Sequence, residues 1–213
     1  MNLKFIPNKS MERFHNNINI QTLVSICMDN YYNTIFDDIL LLISSKKYLE
    51  LLIELEEKYL NTEQFEIFKL YKKCILNIYD DSQIKNLKGA FLEVLSFNIF
   101  NNYYNPFYSS TDCFICIDDW KSEKTVDIAM LYDNSALVGE CKVPVSKFNW
   151  KIFKNLLDIK SNFDGNMSLY AITLDNQIRM DKKMQKIIFE VPECETLDDI
   201  LVITRDTFNQ FNI

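Results

Sequence analysis

Three charged residues in the second half of the sequence, Asp127, Glu140 and Lys142, have the types and the spacing of a small metal site. Hard divalent cations prefer oxygen ligands, and Mg²⁺ is usually held by one or two carboxylates together with water and phosphate oxygens. A lysine beside such a cation stabilises phosphate charge as it develops or orients the attacking water. These residues therefore suggest phosphate-ester hydrolysis, provided that the chain brings them together.

A β-hairpin with its turn at Asp133-Asn134 would do so. Apolar, strand-forming residues lie on both sides of this pair, and both of its residues tolerate positive φ. Counting outward from the turn, Asp127 faces Glu140, with Cβ atoms roughly 4.5 to 5.5 Å apart. Side chains alternate along a strand, so Lys142 projects on the same face as Glu140. The alternative is a surface hairpin whose charged side chains are merely solvated.

Composition indicates an ordered globular protein. The chain has 213 residues, 48% hydrophobic content, 14% aromatic content and only 3 glycines, which is enough to bury a sizeable core. No apolar run approaches the ~18 residues of a membrane span, and the N-terminus lacks a signal-peptide core. We therefore expect a cytoplasmic protein with no membrane partner. Six irregularly spaced cysteines fit buried, reduced thiols, including the isolated C-x-x-C of Cys113 and Cys116.

Several common catalytic sites are disfavoured because their residues are missing. His15 is the only histidine and lies in a polar N-terminal segment, which disfavours histidine-dependent triads, HNH-type nucleases and multi-histidine metal sites. Glycine occurs only at positions 89, 139 and 165, so neither a P-loop nor a dinucleotide-binding fingerprint can be written. A site made of carboxylates and a lysine remains.

The elements that must position this site follow from hydrophobic periodicity. Residues 18–79 read as helical throughout. They are followed by a helix at 82–103, strands at 113–117, 125–132 and 135–143, a helix at 147–163, a strand at 167–174, a less regular segment, and a strand at 200–204. We therefore predict an α/β (α+β) fold with a central mixed sheet flanked by helices. Residues 1–81 would be a helical N-terminal extension that packs on the core or on a partner, and residues 82–213 the core domain.

A third carboxylate lies on the helix before the strands. Gly89 and Ala90 precede Glu93 by four and three positions, and we expect these small residues to let this helix face approach the sheet closely. Glu93 would then be partly buried and in need of a partner, for which a metal ion or its water is one candidate. The alternative is a surface glutamate paired with Lys85 or Lys88.

The whole pattern resembles the PD-(D/E)XK nuclease superfamily, which has the restriction-endonuclease-like fold. Asp127 corresponds to the first acid and Glu140-Cys141-Lys142 to the E-x-K segment, with Val126 where the family name has proline. The order helix, three strands, helix, strand is that of the family core, and the resemblance covers roughly residues 82–205. Some members also carry a glutamine on the helix after E-x-K. The residues available here at that place are Lys151, Lys154 and Asn155.

The resemblance implies a Mg²⁺- or Mn²⁺-dependent endonuclease acting on DNA, with RNA left open, in restriction or genome defence. Asp127, Glu140 and the Cys141 backbone carbonyl would be metal ligands, and Glu93 a direct or water-mediated one. Lys142 would orient the attacking water. The alternative is a catalytically inactive module of the same fold that binds nucleic acid or a protein. The N-terminal helices would then be the docking surface, and they are also a candidate surface for homodimerisation.

Charge is the main objection to a nucleic-acid partner, because the net charge is −7. Residues 142–160 nevertheless hold five lysines against Asp158 alone. Lys147, Lys151 and Lys154 recur at helical spacing and form a basic stripe that we predict to contact backbone phosphates. The alternative is an ordinary solvated helix face.

Replacing Lys151 and Lys154 together by alanine should weaken DNA binding to a similar extent on every sequence. It should also flatten the salt dependence by about 0.9 in log K per log salt for each lost contact, because phosphate contacts release counterions without reading bases. Binding titrations at several salt concentrations measure both effects. Unchanged affinity and an unchanged salt slope would mean that these lysines lie on an ordinary solvated helix face.

Overall fold

A mixed β-sheet runs through the centre of the fold, and helices cover both of its faces. A computed structural model describes residues 2–133, 135–191 and 197–210. Its helices are α1 (Glu12–His15), α2 (Ile18–Asp29), α3 (Thr34–Ser44), α4 (Tyr48–Tyr59), α5 (Phe65–Asp80), α6 (Ile84–Tyr104), α7 (Trp150–Ser161) and α8 (Gln177–Glu190). Its strands are β1 (Leu3–Pro7), β2 (Tyr108–Ile117), β3 (Trp120–Lys121), β4 (Val126–Tyr132), β5 (Ser135–Cys141), β6 (Asn166–Ile172) and β7 (Ile200–Ile203).

Strand β5 is the point at which the sheet changes direction. The order across the sheet is β1-β2-β4-β5-β6-β7, and the short β3 pairs with β2. The pairs from β1 to β5 are antiparallel, whereas β5, β6 and β7 run parallel to one another. The predicted fold class, a central mixed sheet flanked by helices, is confirmed.

The hairpin register agrees with the predicted one. Pairing between β4 and β5 runs from Tyr132 opposite Ser135 to Ile128 opposite Gly139, and one further step places residue 127 opposite residue 140. Asp133 has a φ of 47°, the left-handed conformation expected in such a turn. The other turn residue, at position 134, lies outside the described residues.

The sheet separates two hydrophobic clusters. Alternation along β4 sends Ile128 and Met130 towards α1–α6, and Ala129 between them towards α7 and α8. The cluster on the first face is continuous from α2 through α6 to the sheet, so the N-terminal helices share their core with the strands. The division into residues 1–81 and 82–213 stays a prediction.

The sequence did not predict the short elements α1 and β3, nor the longer elements β1 and α8. β1 is a five-residue edge strand in which only Phe5 is buried, and it ends at Pro7. α8 occupies part of the segment that reads as less regular, because its many charged residues leave only Met180 and Ile187 buried. Both elements lack a strong hydrophobic period because each packs through very few side chains.

The predicted role of Gly89 in close packing was wrong. A Cβ built on Gly89 would meet only Oε1 of Glu93, at 3.7 Å, so no sheet atom requires a glycine there. Ala90, by contrast, is fully buried. What approaches Gly89 is the Glu93 side chain itself, which leans back along α6 as helical side chains do.

Candidate active site

The three charged residues predicted to share a patch meet at one end of the sheet, where β4 begins and β5 ends. The backbone amide of Lys142 donates to Ile172 O in β6 at 2.9 Å, so the preceding amide, that of Cys141, faces β4. There it donates to Oδ2 of Asp127 at 2.6 Å. The aspartate carboxylate therefore takes the place of a backbone acceptor and extends the ladder between the two strands by one step.

The Lys142 ammonium lies between the two acids. Its Nζ is 2.7 Å from Oδ2 of Asp127 and 2.8 Å from Oε2 of Glu140. The Asp127 and Glu140 side chains are only 15% and 8% exposed, and that of Lys142 is 26% exposed. The alternative of a hairpin with solvated charges was therefore wrong.

This cluster holds two carboxylates but one lysine. Burial, and next the negative charge of Asp127, raises the pKa of Glu140 well above its ordinary value. Burial alone would lower the pKa of Lys142, but the two carboxylates outweigh it and hold that pKa above its usual range. One ammonium does not balance two ionised carboxylates, and the shortfall is severe where water is scarce. The site therefore favours additional positive charge, either a proton on Glu140, whose pKa is raised to about 8, or a cation.

Glu93 reaches the same region from α6, where its side chain pairs with a residue that the sequence did not suggest, and its predicted contact with a metal ion stays a prediction. Oε2 of Glu93 lies 2.6 Å from Nε2 of His15, and the two side chains are 7% and 12% exposed. Burial raises the pKa of Glu93, the bond with His15 opposes this rise, and the charge of Asp127 adds to it. Lys88, one of the expected partners, instead places its Nζ 4.2 Å from the Tyr79 ring centre.

His15 is the residue that sequence reasoning missed. It belongs to a polar segment of the sequence, yet it ends α1, a short helix that packs against α6. The neighbouring Phe14 is buried and anchors this turn. No local pattern connects position 15 with position 93, which are 78 residues apart. Only the packing of α1 on α6 brings the imidazole to the carboxylate.

The oxygen atoms around Lys142 are suitable ligands for a small divalent cation that keeps several of its water molecules. Two carboxylates already converge on one positive charge. The N–H and C=O groups of a strand residue point to the same side, and the Cys141 amide faces β4. The Cys141 carbonyl therefore faces β4 as well. Among the described residues, no three or more His, Cys, Asp or Glu side chains form a metal-holding group.

The predicted phosphate-binding lysines are accessible. Lys147 ends a 3₁₀ turn, Lys151 and Lys154 lie on α7, and all three are exposed without an ion pair to any described residue. The neighbouring Asn155 is buried, and its Oδ1 accepts from the Lys124 backbone amide at 3.3 Å. This bond ties α7 to the chain just before β4. The roles of the lysines stay a prediction.

The cysteines take no part in this site as side chains. Five cysteines lie in the described ranges, and all five are free. Cys113 is buried in β2 and Cys116 is half-buried in the same strand, as expected for core residues. No helix within the described ranges is long and apolar enough to cross a membrane.

Comparison with known proteins finds low structural similarity. No family model and no curated protein matches the chain. The small subunit (R.BspD6I2) of the heterodimeric restriction endonuclease R.BspD6I matches with a TM-score of 0.41 and 11% identity, over 62% of this chain and 70% of that one. Protein VC1899 from Vibrio cholerae matches with a TM-score of 0.43 and 11% identity, over 98% of this chain but only 56% of its own length. Similarity at this level carries no argument about chemistry, which must come from the site.

Replacing His15 by alanine should destabilise the protein. It leaves the buried Glu93 carboxylate without its hydrogen-bond partner, at a cost of about 1–3 kcal/mol, and a chain of this size loses roughly 2–4 °C of melting temperature per kcal/mol. His15→Gln, which keeps a donor, should recover most of the loss. Thermal unfolding of the two variants checks this, and equal stability of wild type and His15→Ala would contradict the pairing.

Proposed function

We propose that this chain is a metal-dependent endonuclease that hydrolyses phosphodiester bonds of DNA, using Mg²⁺ or Mn²⁺. The observation that carries the proposal is the Lys142 ammonium within 2.8 Å of the buried Glu140 carboxylate and the half-buried Asp127 carboxylate, at the ends of adjacent strands. We further place the protein in the cytoplasm, where the five free thiols of its described residues would stay reduced, and assign it to restriction or genome defence. The support for this last assignment is the resemblance of the motif alone.

Each residue has a distinct task in this proposal. Asp127, Glu140 and the Cys141 carbonyl would hold the metal ion, and Glu93 would contact it through water while His15 keeps the Glu93 carboxylate in place. The bound ion would supply Lewis acidity and charge stabilisation at the scissile phosphate. Lys142, whose contacts to the carboxylates the cation would replace, would turn its ammonium to the attacking water or to the developing phosphate charge.

The deficit of positive charge separates this proposal from a purely structural ion cluster. A buried ion pair contributes little to stability unless its charges are matched and fully hydrogen-bonded. Two ionised carboxylates against one lysine are unmatched, so a cation that binds here would displace the proton that the raised pKa of Glu140 otherwise favours. An inactive module of the same fold would bind nucleic acid or protein without responding to Mg²⁺ or Mn²⁺ at this site.

Replacing Glu140 by glutamine should abolish cleavage and leave the fold intact, since glutamine keeps the side-chain volume and removes the charged ligand. A plasmid-nicking assay with Mg²⁺ or Mn²⁺ measures this. Glu57→Gln on the exposed face of α4 is the matched control and should cut like wild type. Cleavage by Glu140→Gln at the wild-type rate would show that the site is assigned wrongly.

Replacing Lys142 by methionine should separate metal binding from catalysis. The variant loses the ammonium that competes for the carboxylates, so millimolar Mg²⁺ should raise its melting temperature more than that of wild type, while cleavage disappears. Binding to the folded state alone stabilises it by about 1.4 kcal/mol at ten times Kd. Thermal scans with and without metal decide the matter. A variant indifferent to both ions would mean that the carboxylates form no metal site.

A further inference from the structure

A basic cavity of about 600 Å³ opens beside the candidate site, at the carboxyl ends of the parallel strands. We call it the strand-end cavity. Its walls are the connection between α3 and α4, the two residues that follow Lys142, the connection between β6 and α8, and Arg205 after β7. The lining residues are Leu41, Ser44, Ser45, Lys46, Lys47, Val143, Pro144, Leu174, Asp175, Asn176, Arg179 and Arg205.

The lining charge is opposite to that of the whole molecule. Four cationic side chains face one carboxylate, that of Asp175, in a chain with a net charge of −7. Arg179 contacts this carboxylate at 2.8 Å, and Lys47 pairs with the exposed Glu50 at 3.0 Å. Lys46 is exposed and makes no ion pair with any residue in the described ranges. Its ammonium is therefore available to an anion.

Three further acids lie near this cavity. Asp37, Asp38 and Asp206 line a neighbouring cavity that shares Arg205 with the strand-end cavity. The Arg205 guanidinium is 3.6 Å from Asp206, and Oδ2 of Asp206 also accepts from the Gln177 amide at 3.1 Å. Among the four lining cations, Lys46 is therefore the one without an ion pair to a described residue.

Hydrogen bonds fix the position of the cavity wall relative to the end of β5, the strand that carries Glu140. The Thr173 hydroxyl donates to the Val143 carbonyl at 3.0 Å. Oδ2 of Asp175 accepts from the Val145 amide at 2.8 Å, and the Arg205 amide donates to the Asp175 carbonyl at 3.2 Å. Since Val143 directly follows Lys142, an anion in this cavity would have a defined position relative to the candidate site.

The backbone adds to the preference for an anion. In open α/β sheets ligands bind outside the carboxyl ends of the parallel strands, and this cavity lies at those ends of β5, β6 and β7. The first turn of the 14-residue helix α8, capped by Asn176, also borders it. Two of the first amides of α8 already have acceptors, Gln177 in Asp206 and Arg179 in Asn176, and the dipole of a helix N-terminus favours negative charge nearby.

We propose that the strand-end cavity holds a backbone phosphate of the DNA strand that is cut, next to the scissile phosphate, with Lys46 and Arg179 as its contacts. This inference rests on the proposed endonuclease function. Val143 and Pro144 extend at most about 7 Å beyond Lys142 at ~3.3 Å per residue, so the cavity is near enough to the candidate site to receive a phosphate that neighbours the scissile one. The N-terminal helical part then contributes directly to the substrate-binding surface.

The test is charge reversal at Lys46, which lies in a connection between helices. Lys46→Glu and the control Lys69→Glu make the same change of charge at exposed lysines, the second on α5 and outside the cavity lining. Both are introduced into the Glu140→Gln chain so that a labelled DNA duplex stays uncut. Fluorescence anisotropy between about 50 and 200 mM salt gives the affinity and its salt slope.

Lys46→Glu should lower the affinity several-fold and reduce the salt slope by about 0.9 for the lost phosphate contact, whereas Lys69→Glu should behave like the parent. Equal effects of the two changes, or no DNA binding by the parent, would overturn the inference. Nicking by the otherwise wild-type chain is measured in parallel. Cleavage together with equal effects would leave the endonuclease proposal standing, and binding that depends on Lys46 without any cleavage would overturn that proposal alone.

Discussion

The structure depends on a charge imbalance that it keeps out of water. Asp127 and Glu140 lie opposite each other at the ends of paired strands, and a single lysine compensates for both. Two like charges at this separation cost free energy that falls steeply when a cation is near. The Cys141 amide lowers part of that cost by donating to Asp127. The remaining deficit is met by a proton on Glu140, whose pKa is raised, or in the proposed function by a bound cation.

Because β5 pairs antiparallel with one neighbour and parallel with the other, it contributes to both the candidate site and the strand-end cavity. Its antiparallel pairing with β4 sets Asp127 against Glu140, and its parallel pairing with β6 carries the chain beyond Lys142 to the cavity at the strand ends. An all-antiparallel sheet would return the chain at this edge through short hairpins. Here the edge stays open, and α8 begins beside it.

The N-terminal residues approach the candidate site from two sides. His15 supports Glu93 from α1, and Lys46 lines the strand-end cavity from the connection after α3. Both contributions depend on one hydrophobic cluster that joins α2–α6 to the sheet. Substitutions within that cluster should therefore change the site as well as stability, since buried packing transmits small displacements.

Local pattern alone determined the hairpin register, the order of the core elements and the meeting of Asp127, Glu140 and Lys142, because strand alternation and a two-residue turn fix neighbours across a hairpin. The edge strand β1 and the helix α8 were not predicted, since each buries too few side chains to leave a period. Only the tertiary structure decided that His15 rather than a lysine pairs with Glu93, and that Lys46 lies beside the strand that carries Lys142. The members of each pair are far apart in the sequence. Their proximity depends on how helices pack on a shared core, and short-range residue spacing does not predict that packing.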